Sequence, residues 1–215
     1  MMDQDKNPQH DELQKKHDLQ QHEVMQVLNF LKRYGKLIGA GILAAAIVVL
    51  ASRALAANKA EKIAEAEQML MTAQTPEQLQ DLVNTYKSTP TAPVALLDLA
   101  KMLFNQGDFV EARTQYELFA KSYKKNDLMP IAQFGLAHCT EADGNFAAAA
   151  EEFKDFLTKN QNHYLNAPAV LALARCLEQA GNLDASRIVL EDFLAENTGS
   201  QWTSVAENAL QMLSK

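Results

Sequence analysis

Along the C-terminal two-thirds of the chain, apolar residues recur at intervals of three and four, the period of a helix with one buried face. The pattern stops at Gly107, Gly144 and Gly181 and resumes after each. At an offset of 37 the chain matches itself. Ala95, Ala132 and Ala169 coincide, as do Leu99-Ala100, Leu136-Ala137 and Leu173-Ala174. Beyond the glycines come Asp108, Asn145 and Asn182, then Ala112, Ala149 and Ser186, then Tyr116, Phe153 and Leu190, and finally Phe119, Phe156 and Phe193. Each unit reads as a helix A, a tight turn and a helix B. Gly followed by Asp or Asn suits a turn with positive φ and a local side-chain hydrogen bond. The matched alanines let two helices approach closely, and the large residues fill the space between units. No unit can bury its apolar stripe alone, so the units must stack and the ends need caps. The expected fold class is all-α, a solenoid of helical hairpins.

The pattern extends past the three clear units. Leu79, Leu82 and Tyr86 match Tyr116, Phe119 and Tyr123, which makes residues 75–86 a further helix B. Thr75-Pro76-Glu77-Gln78 has the form of a helix start, with Thr as cap, Pro at the first position and Gln three residues on. Its helix A must lie in residues 58–74. Ala206, Leu210 and Leu213 match Ala169, Leu173 and Cys176, so residues 201–213 form a lone capping helix. The repeat domain then covers 58–215, with units at about 58–90, 93–126, 130–163 and 167–197.

Upstream, Leu37 to Ser52 carries no charge. Sixteen helical residues reach about 24 Å; extension through Ala57 gives about 31 Å, the thickness of a bilayer core. Arg53 would then reach back to the interface. Residues 37–57 read as one transmembrane helix. Ala54-Leu55-Ala56 also resembles a small-x-small cleavage site, but the 36 preceding residues are long for a signal peptide and mixed in charge. Lys32, Arg33 and Lys36 flank one end of the span, and Arg53, Lys59 and Lys62 the other. The tighter first cluster favours a cytoplasmic N-terminus, while three charges against three leave the opposite orientation open. Residues 1–22 are polar and read as disordered. Within residues 23–36, Val24, Val27, Leu28 and Leu31 form an amphipathic juxtamembrane helix, with a bend expected at Gly35. With no Gly or Pro between Ile42 and Thr75, one unbroken helix should run into the first repeat.

Charge narrows the function. Residues 1–76 hold nine basic and nine acidic residues, and residues 77–215 hold eleven and eighteen, so the whole net charge of −7 lies in the repeats. A nucleic-acid backbone would be repelled, and nucleic-acid binding is not expected. The two cysteines, Cys139 and Cys176, occupy matched places in adjacent units. Equivalent helices in a stack lie about 8–10 Å or more apart, beyond the roughly 7 Å limit for a disulfide, so both read as small buried residues. His10, His17 and His22 share no i,i+4 spacing and do not suggest a metal site. There is no phosphate loop, paired ligand motif or nucleophile beside a base. No enzyme activity, cofactor or small-molecule substrate is expected.

Small residues in mid helix A, then G-[DN]-F-x-x-A, an aromatic four residues later and another three after that, resemble the tetratricopeptide repeat. The likeness covers Pro93 to about Glu196. It departs in its period, 37 against the usual 34 or so, and lacks the early Trp of helix A; the extra residues fall in the B-to-A loops near Lys125–Met129 and Gln161–Asn166. The resemblance implies that one face of helix A lines a concave partner-binding surface. By alignment its rows are Leu97, Phe134 and Leu171; then Lys101, His138 and Arg175; then Phe104, Glu141 and Glu178, with Asn105 and Gln179 beside them. Either an extended peptide lays apolar side chains on the first row and its carbonyls or a carboxylate on the second, or these groups pair with glutamates a turn away and are merely solvated.

EVMQVLNFLKRYGKLIGAGIL, residues 23–43, is similar to the corresponding segment of the bacterial ancillary Sec translocon subunit family. That family combines a short amphipathic helix, one span and a tetratricopeptide-like domain of about this length. The resemblance implies an inner-membrane protein with a cytoplasmic N-terminus and periplasmic repeats. Its partners would be translocon subunits, a periplasmic chaperone of the prolyl-isomerase type and unfolded clients. A repeat scaffold for envelope assembly or cell division, without a translocon role, is the alternative.

Overall fold

The computed structural model describes the backbone of residues 8–213 and the side chains of residues 24–213. Among the described residues there are nine helices and no strand: α1 (Pro8–Thr72), α2 (Pro76–Thr85), α3 (Thr91–Asn105), α4 (Phe109–Ser122), α5 (Met129–Ala142), α6 (Phe146–Lys159), α7 (Asn166–Gln179), α8 (Leu183–Glu196) and α9 (Thr203–Met212). The chain divides into two compact units, one up to Lys59 and one from Ala60 onward.

Through the first unit the side chains of α1 are almost all exposed. Val24, Val27, Leu28, Leu31 and the apolar residues from Leu37 to Leu55 are exposed. This stretch is long and apolar enough to cross a membrane. Two expectations change here. Residues 8–22, whose composition reads as disordered, belong to α1; their Gln, Glu, Lys and Leu are good helix formers. Gly35 does not interrupt the helix either, because one glycine costs a helix only about 1 kcal/mol. The side chains of His10, His17 and His22, and residues 1–7, lie outside the described residues.

In the second unit the helices alternate A and B as the spacing predicts, and from α2 onward each packs against the next. The last turns of α1 supply the first helix A: Ala66 is fully buried, Met69 and Leu70 pack against the cluster built on Leu79 and Leu82, and Tyr86 Oη donates to Glu65 at 3.2 Å. The capping box at α2 forms in full. Thr75 Oγ1 accepts from the Gln78 amide at 3.4 Å, and Gln78 Oε1 accepts from the Thr75 amide at 3.3 Å.

The three A-to-B turns hold Gly107, Gly144 and Gly181 at φ of 85°, 79° and 83°, the left-handed region that an L side chain avoids. The side-chain bond expected after them forms once. Asp108 accepts from the Glu111 amide at 3.2 Å, whereas Asn145 and Asn182 make no such cap bond. The B-to-A loops repeat just as strictly. Each begins with a backbone amide donating three residues back, to the carbonyl of Tyr86, Tyr123, Asn160 or Asn197. In three of them the side chain at 126, 163 or 200 then accepts from the amide two residues on: Asn126 from Leu128 at 2.9 Å, His163 from Leu165 at 3.3 Å, and Ser200 from Trp202 at 3.2 Å. The residues beyond a 34-residue repeat thus build a second ordered turn.

The core fills the spaces between units. A large residue from α4, α6 and α8 joins a small one from the next helix: Tyr116 meets Gly135, Phe153 packs in one cluster with Ala172, and Leu190 with Ala209. Ser186 replaces the matched alanines and is 1% exposed; its hydroxyl donates to the Ala174 carbonyl at 2.8 Å, which satisfies the buried group.

Gly135 sets up a test whose sign runs against helix propensity. Alanine in place of glycine inside a helix ordinarily stabilises by about 0.5–1 kcal/mol. At 135 the added Cβ would collide with the Tyr116 ring, so Gly135→Ala is expected to destabilise by roughly 1–3 kcal/mol, the usual cost of overpacking. Urea unfolding of the detergent-solubilised full chain, followed by circular dichroism, measures the difference.

Candidate functional site

The helix A residues singled out by alignment fall into distinct environments. Lys101, Phe104 and Asn105 from α3 and Phe134 and His138 from α5 line a single pocket of about 320 Å³. Leu171, Arg175 and Glu178 of α7 line a second, of about 180 Å³, closed by residues of α8 and α9. Gln179 is exposed and lines neither. Leu97 is a correction: at 5% exposure it belongs to the core with Leu96 and Leu99. Its matches Phe134 and Leu171 remain partly open.

The larger pocket also contains residues that alignment did not bring forward. Tyr116 comes from α4, Ile131 and Gly135 from α5, and Tyr164 and Leu165 from the α6–α7 loop. Tyr164 is 70% exposed. Its ring lies 4.4 Å from that of His163, the residue whose Nδ1 holds the loop turn, so the loop that lengthens the repeat also carries an aromatic to the site. The His138 ring sits among aromatics, edge-on to Phe134 at 4.5 Å and to Phe153 at 4.9 Å.

The basic row does not act as a row. Glu141, with its side chain 14% exposed, draws in two of its three members. Arg175 makes a bidentate pair with it, Nε to Oε1 at 2.5 Å and Nη2 to Oε2 at 2.8 Å, and His138 Nδ1 lies 3.0 Å from Oε2. Burial opposes the Glu141 charge, but hydrogen bonds from His138 and Arg175 outweigh it and hold the carboxyl down at about 2. A pair with a glutamate one turn away forms for His138 with Glu141 at i,i+3, but it is partly buried and not merely solvated, while Arg175 reaches across 34 residues to the previous repeat instead of to Glu178. Lys101 makes no ion pair among the described residues.

On another side of the stack, Arg113 pairs with Asp143 at 2.6 Å and also donates to Thr140, tying α4 to α5. Cys139 and Cys176 are buried free thiols, pushed up by burial to about 11 and about 12. Neither supplies a thiolate nucleophile near neutral pH.

The Glu141 latch gives a pH signature. Its folded pKa lies below the ordinary 4.5, so the stability it contributes is fully present above about 4.5 and is lost as pH falls through about 2. Glu141→Gln is expected to remove this part of the acid sensitivity. Near neutral pH it should destabilise by about 2 kcal/mol, between an exposed and a fully buried pair because Arg175 is half exposed. Urea midpoints of both proteins between pH 7 and pH 2, read from the single tryptophan, Trp202, check both statements.

Comparison with known proteins agrees with this architecture. The tetratricopeptide repeat-like domain family matches residues 29–153, and the tetratricopeptide repeat matches residues 141–209. A tetratricopeptide repeat protein from Parabacteroides merdae superposes with a TM-score of 0.54 at 18% identity, over 73% of this chain and 60% of that one. Nearly identical repeats assigned to a kinesin light chain of Podosopora anserina superpose with the same TM-score and identity, over 71% of this chain and 83% of theirs. The chain thus spans under two-thirds of the first of these. No curated protein matches it. Both structural likenesses show the fold alone. Repeats of this kind are protein–protein interaction scaffolds. With α-hairpins at a fixed interval, left-handed glycine turns and a match over residues 29–153, the chain belongs to the tetratricopeptide repeat-like domain family.

Proposed function

We propose that the protein is a membrane-anchored scaffold that binds other proteins through its repeats, working as an adaptor or chaperone helper beside the Sec translocon of the bacterial inner membrane. The observation that carries the reading is that the family match begins at residue 29, so it takes in the apolar segment together with the first repeats. A family unit that includes both supports a repeat domain whose working place is a membrane. The likeness of residues 23–43 to the ancillary translocon subunits supplies the finer assignment. In that assignment residues 37–57 span the inner membrane once, the N-terminus is cytoplasmic and the repeats are periplasmic. The partners are channel subunits, a membrane-anchored prolyl-isomerase-type chaperone and emerging, still unfolded envelope proteins.

The chemistry of the helix A face suits that work. Its pockets are apolar recesses with few polar groups, which favours side-chain capture from extended chains over recognition of a cofactor.

Two measurements test the proposal. Protease added to spheroplasts is expected to degrade the repeats and leave a membrane-protected N-terminal fragment; full protection until lysis would reverse the topology. Mild detergent extraction of the tagged full chain is expected to co-purify channel subunits. Their repeated absence, with other envelope proteins recovered instead, would overturn the translocon assignment.

A further inference from the structure

The pocket between α3 and α5 carries more information than its place in a binding groove. The Tyr116 ring occupies the space that a Cβ on residue 135 would take, and both residues line the pocket. The matched residues Asp98 and Ala172 have a Cβ, so glycine here admits a ring to the lining at this repeat. With Phe104, Phe134 and the exposed Tyr164, four aromatic rings meet in a space of about 320 Å³. That is the low end of the range of about 300–1,000 Å³ for ligand sites, room for one or two side chains rather than a cofactor.

The polar part of the lining is equally specific. His138 is engaged by Glu141, and Asn105 is neutral. Lys101 is the remaining cation, exposed and without an ion pair among the described residues. Asp98, one turn earlier on α3, lines only the neighbouring recess; the Lys101 charge favours its ionised form, but the two groups do not close to an ion pair. That recess, of about 260 Å³, is lined by Leu70, Leu79 and Met102 and shares Lys101 and Asn105 with the aromatic pocket. Two apolar recesses on either side of a polar ridge suit an extended segment, whose alternate side chains point the same way.

We propose that this pocket receives a bulky apolar side chain, aromatic by preference, from an extended segment of a protein partner, and that a carboxylate beside that side chain pairs with Lys101. The inference rests on the protein-binding reading above and narrows it to one ligand chemistry. An aromatic anchor in an aromatic-lined recess contributes through area and ring geometry. The ammonium–carboxylate pair at the rim selects acidic over basic neighbours.

The test uses the full chain in nanodiscs and fluorescence anisotropy with a labelled octapeptide holding one phenylalanine flanked by two aspartates. Two control peptides replace the phenylalanine with alanine or the aspartates with lysines. The first peptide is expected to bind about ten-fold tighter than either control, as one charged contact or one buried ring allows. Lys101→Glu should remove that advantage and favour the lysine peptide. Tyr164→Ala, an exposed change, should weaken the first peptide several-fold without altering the circular dichroism. Equal binding of the three peptides, or unchanged selectivity in Lys101→Glu, overturns the inference. Co-purification of channel subunits is scored in parallel: if it persists while peptide selectivity is absent, the scaffold reading stands and only the pocket assignment falls. If it fails while selectivity is present, the pocket assignment stands and the translocon reading falls.

Discussion

No hairpin in the repeat region can bury its own apolar stripe, and that shortage organises the rest. Helices α4, α6 and α8 each project a large residue that the helix before leaves uncovered, and the next helix meets it with a small one. Tyr116 against Gly135, Phe153 with Ala172 and Leu190 with Ala209 are three instances of one contact. Removing a neighbour leaves a ring in water. The fully buried alanines, such as Ala95, Ala132, Ala149 and Ala169, are small for the same reason. The capping helix α9 follows too, since Ala206 and its neighbours cover what α8 leaves open.

The steric part of this plan is legible in the sequence because it depends on residue size at fixed intervals. Glycines with positive φ, alanines at helix crossings and a Thr-x-x-Gln cap keep their meaning wherever the chain places them. The B-to-A loops are harder to read. Asn126, His163 and Ser200 perform one task, accepting an amide two residues on, yet no shared residue type marks the place. What is common is an acceptor atom at a certain reach, and Asn, His and Ser all provide it. Asn145 and Asn182 show the converse: residues suited to a cap whose side chains are not used as one. Near the N-terminus, composition misleads over residues 8–22 because polar, charged side chains suit both disorder and an exposed helix.

The helix A face is half legible. Alignment finds Lys101, Phe104, Asn105, Phe134 and His138, which share one pocket, because helix A residues at matched places share a face. It does not reveal that Glu141 takes Arg175 from the next repeat, since the partner lies 34 residues away and Glu178 lies nearer in sequence. Nor does it separate Leu97 from Phe134, since burial depends on what the preceding hairpin covers. Tyr164 is missed because it lies in a loop, outside the helical period. Of the matched cations, Arg175 ties α7 to α5 through Glu141, His138 pairs with Glu141 within α5, and Lys101 makes no ion pair among the described residues. Reversing charge at Arg175 would therefore disturb packing between units, while the same change at Lys101 would not break an ion pair.

From α2 onward the main contacts run between consecutive helices. Such a column has the mechanics of a soft spring. Its layers can tilt slightly about their shared edges, each by a small angle, and the angles add along its length. Curvature is therefore adjustable at little cost, except where the Arg113–Asp143 and Arg175–Glu141 pairs clasp successive joints. A partner seated across several layers would meet stiff footing at the clasped joints and a more yielding one where only apolar side chains touch.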